Sequence, residues 1–141
     1  MRSRFAPILV LALVASGKAN AQTPELNKPA TLQAGDVAAF VIQNLLRLRK
    51  DLSEPTVVTY EPDPATIDIE ILGSTVSVDQ AKARIAEYWS FVQAGPTPYL
   101  KRRFGVELSE KSFRIGYYKW MPDGTAKPIL LFVGGQYIIA P

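Results

Sequence analysis

The chain has no histidine and no cysteine among its 141 residues, so its chemistry rests on carboxylates, lysine, tyrosine and serine. Ser-His-Asp and Cys-His catalysis are excluded, and zinc loses its preferred ligands. Asp68 and Glu70 are the first pair of suitable type and spacing. In an extended strand they project from one face about 7 Å apart, at roughly 3.3 Å per residue. Carboxylates so placed divide acid and base roles when their surroundings push their pKa values apart. The plainer reading is a solvated polar face opposite a core face, which antiparallel sheets produce routinely. No EF-hand spacing occurs, and Gly134-Gly135 lies between strands rather than before a helix, so it is no phosphate loop. No metal and no cofactor are expected.

Two further groups can recognise rather than react. Lys101, Arg102 and Arg103 form a basic run suited to an anionic polymer, a phosphate or a lipid headgroup. Equally, cations sit favourably in the last turn of a helix, worth about 0.3–1 kcal/mol each at low salt. Arg114, Tyr118 and Trp120 share one face of a strand, with Gly116 a notch between them. Such a set makes an aromatic platform for a sugar or peptide, or an internal cation–π contact. Aromatics on both sides of one strand also suggest that both faces are covered, by core or by self-association. Arg84, Tyr88 and Phe91 are the expected packing partners of that platform.

These residues need elements to hold them. Residues 1–21 are set aside as a signal peptide: Arg2 and Arg4 precede the apolar run 5–15, and Ala19-Asn20-Ala21 is a small-x-small cleavage site. The run is shorter than the roughly 20 residues of a membrane span. The full chain counts 16 Lys+Arg against 13 Asp+Glu. Arg2, Arg4 and Lys18 fall in the signal, so the remainder carries 13 of each and is neutral. Neutrality argues against a general nucleic-acid binder, which needs a basic excess or stripe. Residues 22–34, with Pro24 and Pro29, read as a lead-in, and residues 35–141 as one globular domain.

Within that domain Asp36 is an N-cap for a helix to about residue 52, with Val37, Val41, Leu45, Leu48 and Leu52 in line. Phe40 falls on its polar side. Strands follow at 56–60 and 66–72, the second alternating Ile67, Ile69 and Ile71 with Asp68 and Glu70. Ser77 and Gln80 form a capping box before a helix closed by Gly95 in the left-handed conformation. Thr97 and Pro98 then open a second helix, which Gly105 ends. Strands at 112–120, 129–133 and 136–140 complete the chain, joined by Pro122-Asp123-Gly124 and Gly134-Gly135 turns. The apolar run 129–133 reads as buried on both faces, and the prolines as lying between elements.

The order helix, two strands, two helices, three strands is α+β with a mainly antiparallel sheet packed on helices. It also resembles, in element order, the cone-shaped nuclear-transport-factor-2-like fold, whose curved sheet wraps helices around a pocket. That resemblance implies a small-molecule binder or a carboxylate-using enzyme, with Asp68 or Glu70 in the pocket. An open sheet with helices on one face fits the sequence as well. The residues themselves point to an exported, periplasmic interaction module without catalytic activity and with no transmembrane segment. Its expected partner is a protein, or a second copy meeting it through the C-terminal strands around Ile138.

Overall fold

Ile67, Ile69 and Ile71 are all buried, and the sheet is built outward from the strand that carries them. The computed structural model describes residues 34–140, in the order α1 (Ala34–Arg47), β1 (Thr56–Pro62), β2 (Ala65–Gly73), α2 (Val78–Ala94), α3 (Pro96–Phe104), β3 (Phe113–Trp120), β4 (Ala126–Val133) and β5 (Gln136–Ile139). The strands lie side by side in chain order. β1–β2, β3–β4 and β4–β5 are antiparallel, while β2–β3 is parallel because α2 and α3 carry the chain back across the sheet. The fold is α+β with a mostly antiparallel sheet. The signal-like segment and the lead-in up to residue 33 lie outside the described residues.

One face of the sheet makes the core. Phe113, Ile115 and Tyr117 of β3 join Leu130 and Phe132 of β4 beside the three isoleucines. From the helices come Ile42 and Leu46, then Ile85, Tyr88 and Val92, then Leu100. Trp89 packs edge-on to Phe113, with ring centroids 5.1 Å apart, and lies 5.4 Å from Phe132. The arrangement has two layers, with the helices on one face of an open sheet.

Several elements differ from expectation. α1 stops at Arg47, and i→i−3 bonds from Leu48 and Arg49 turn the chain so that Leu52 re-enters the core. Its buried line is Ala38, Ile42 and Leu46, since Ala38 and Ala39 let the helix approach closely; Leu48 is exposed. Ser77 does cap α2, its Oγ accepting from Gln80 N–H at 3.2 Å. The return contact is made by Thr75 instead: its Oγ1 accepts from Ser77 N–H at 2.9 Å and donates to Gln80 Oε1 at 2.5 Å. Gly95 is not left-handed, with φ −116°, and α3 begins at Pro96 rather than after Thr97. Gly105, at φ 68°, takes the left-handed cap as expected. β4 is not buried on both faces throughout: Ile129, Leu130 and Phe132 are buried, but Leu131 is half-buried and Val133 exposed. Two prolines sit inside strands, Pro62 on edge strand β1 and Pro128 beside the β3–β4 bulge, both places where a missing N–H is tolerated.

Candidate functional site

Alternation places the remaining strand residues on a second face that no described helix covers. Cross-strand register makes two rows of them. Val57, Glu70, Gly116, Leu131 and Ile138 form one row, from β1 to β5. Thr59, Asp68, Arg114, Val133 and Gln136 form the next. Tyr118 and Trp120 continue the face along β3. The acid–base candidates and the platform candidates, separate in the sequence, therefore share one surface. It is acidic and basic over β2 and β3 and apolar over β4 and β5, with Trp120 56% and Ile138 48% exposed.

Parallel pairing of β2 with β3 sets Asp68 directly beside Arg114. The Arg114 guanidinium donates to Asp68 Oδ2 at 3.0 Å, and the carboxylate is only 14% exposed. Asp68 Oδ1 is buried without a hydrogen-bond partner among the described residues. Gly116 is needed here. A Cβ at this position would lie 2.6 Å from Tyr118 Cε1 and 3.1 Å from Leu131 Cδ2, so the Tyr118 ring lies across the glycine. Burial pushes the Tyr118 phenol above its ordinary pKa; Glu70 and Asp68 add to this, and Arg114 opposes it. The product is a flat, half-buried patch holding both charges and an aromatic ring.

The other candidates lie elsewhere. Lys101, Arg102 and Arg103 are exposed in the last turn of α3, on the helical layer, where cations complement the helix end. Arg84, Tyr88 and Phe91 do not pack on the platform. They face the connector between α1 and β1, where Arg84 and Tyr88 hold Glu54 and Arg49 lies over the Phe91 ring. Two open grooves flank that connector, and Asp68, Glu70 and Tyr118 line neither. Among the described residues no cluster of three or more metal-ligating side chains occurs, and no helix is long and apolar enough to cross a membrane.

Gln43 was hidden on the polar side of α1. Its Oε1 accepts from Val58 N–H at 2.9 Å, while its Nε2 donates to Thr56 O at 3.4 Å and to Thr56 Oγ1 at 3.2 Å. The side-chain amide thus occupies the outer edge of β1 as a neighbouring strand would. Only the pairing of α1 with that strand reveals this role. Comparison of the chain with protein-family models, with curated proteins and with solved structures finds no match.

Proposed function

We propose that the chain is an exported, non-catalytic interaction module that docks a protein partner on the uncovered face of its sheet. One observation carries this reading: a face with exposed Val57, Trp120, Val133 and Ile138 surrounds the Asp68–Arg114 pair and has no cover among the described residues. Exposed apolar residues around an arginine and aromatic rings suit a protein interface, where arginine, tyrosine and tryptophan are enriched among the anchors. The signal-like residues 1–21 support export. Acid–base catalysis is the weaker use of the same residues. Asp68 is taken up by Arg114, and Glu70 stands on an open face that does not exclude water.

Site-specific photo-crosslinking in intact cells tests the proposal. A photoreactive residue replacing Trp120 or Val57 is expected to give one discrete adduct with another protein in the cell envelope. The same residue replacing Phe40, exposed on α1, is expected to give none. Adducts from position 40 with none from 57 or 120 would move docking to the helical layer and overturn the reading.

A further inference from the structure

The two edges of the sheet are finished differently. On β1 the outward groups belong to Thr56, Val58, Tyr60 and Pro62, since Leu72 N–H donates to Pro55 O at 2.9 Å and fixes the alternation. Gln43 occupies Thr56 O and Val58 N–H, and Pro62 has no N–H to offer. That edge is guarded.

On β5 the Gly134-Gly135 loop, at φ 57° and 90°, sets Val133 opposite Gln136. Ala140 N–H donates to Ile129 O at 3.4 Å, so Gln136, Ile138 and Ala140 direct their backbone groups at β4. Tyr137 and Ile139 direct theirs away from the sheet, and no described residue meets them. This strand is short, at four residues, but it carries no charge, no proline and no bulge to blunt its edge further.

We infer that two copies of the chain join antiparallel through β5, edge to edge, into one continuous sheet. The strand is self-complementary in the way a two-fold junction requires. Centred on Ile138, the pairing sets Tyr137 of each copy opposite Ile139 of the other, and every outward N–H and C=O of both residues finds a partner. No like charges are opposed, because β5 has none. Ile138 then meets its own counterpart, and the apolar β4–β5 half of the open face runs unbroken into that of the second copy. The junction is separate from partner docking: the in-cell adducts at positions 57 and 120 bear on docking, the solution mass on the junction.

The absence of native cysteine makes the register directly testable. Opposed Cβ atoms at a non-hydrogen-bonded pair stand about 4.5–5.5 Å apart, close enough for a disulfide after a small shift. Ile138→Cys is expected to crosslink into dimers under mild oxidation. Gln136→Cys, whose two copies would stand roughly 13 Å apart at 3.3 Å per residue, is expected not to. Ile139→Pro deletes an outward N–H while sparing the bonds to β4, so it should abolish the dimer and leave the circular dichroism spectrum unchanged. Light scattering on the purified chain at about 100 µM reads the dimer, a concentration suited to so small a contact. A monomeric wild type at that concentration would overturn the inference. So would equal crosslinking at 136 and 138, or a dimer that survives Ile139→Pro in a folded protein.

Discussion

Arg84 grips Glu54 with two prongs, Nε to Oε2 at 2.6 Å and Nη2 to Oε1 at 2.5 Å, across 30 residues of chain. Tyr88 adds a hydroxyl bond to Glu54 Oε1 at 2.9 Å, and Arg84 also reaches Asp51 O at 3.1 Å. Together they tie the connector after α1 to the middle of α2. The contact is half-sheltered, with 18% of the Glu54 side chain and 27% of the Arg84 side chain exposed. It therefore counts for more than a surface ion pair and less than a buried one.

Replacing Glu54 with Gln should cost about 1–2 kcal/mol, below the full value of a charged bond because of that exposure. The effect should depend on pH with a definite sign. The Arg84 hydrogen bonds hold the Glu54 carboxyl below its ordinary pKa, outweighing the opposing effect of burial. Its stabilisation is complete above the ordinary glutamate pKa and is lost as pH falls through the lower folded value. Urea denaturation should show a gap between wild type and Glu54→Gln that is full near neutrality and shrinks below about pH 4. A gap that does not change with pH would remove the ion pair as its source.

Ser77→Ala should destabilise the fold by about 0.5–2 kcal/mol, and Ser77→Gly by less, because the Oγ acceptor for Gln80 N–H is lost. Thr75→Val should add a loss of its own. Thr75 Oγ1 serves both Ser77 N–H and Gln80 Oε1, so the three residues cap α2 as a unit. Chemical denaturation of the single and double variants should show non-additive losses. Strict additivity would mean that the two hydroxyls act separately.

Gly116→Ala should displace the Tyr118 ring, because the new methyl would stand 2.6 Å from Cε1. Burial is what raises the Tyr118 phenol, so displacement should bring its pKa back towards the ordinary tyrosine value. Carbon-13 labelling of the tyrosine ring, followed by NMR through an alkaline titration, reads that shift residue by residue. The same variant should weaken the adducts formed from position 120, since the flat patch is broken. An unchanged Tyr118 titration would show that the ring does not rest on Gly116.

Local chemistry carried much of this fold in the sequence, and long-range pairing carried the rest. The isoleucine alternation of β2, the Ser77 cap, the Gly105 stop and the Gly134-Gly135 loop are decided within a few residues, and all four stand in the structure. The end of α1 is not decided so. Leu48 and Leu52 continue the helical spacing, but Leu52 reaches the core through a turn that the Glu54–Arg84 clamp holds. Asp68 and Arg114 are 46 residues apart, and only the parallel crossover between β2 and β3 makes them neighbours. The platform lost its expected flank for a similar reason: α2 turns Arg84 and Tyr88 towards Glu54, leaving Tyr118 and Trp120 on the opposite face of the sheet.

The last prediction tests Gln43, whose role no local pattern announced. Gln43→Ala removes the acceptor of Val58 N–H and the donor to Thr56 O, exposing both groups on the outer edge of β1. The loss in stability should be about 0.5–1.5 kcal/mol, since water can replace the side-chain amide at a half-buried site. Gln43→Glu should be milder at Val58, where an acceptor remains, but harmful at Thr56, where carboxylate and carbonyl oxygens would face each other. Amide hydrogen exchange separates these effects: Val58 should lose protection in the alanine variant and keep most of it in the glutamate variant. Opening this edge should also create a second site for strand pairing, so Gln43→Ala should form species larger than a dimer at concentrations where wild type does not. If Val58 exchange is the same in wild type and Gln43→Ala, then α1 does not guard this edge, and the contrast between β1 and β5 loses its physical basis.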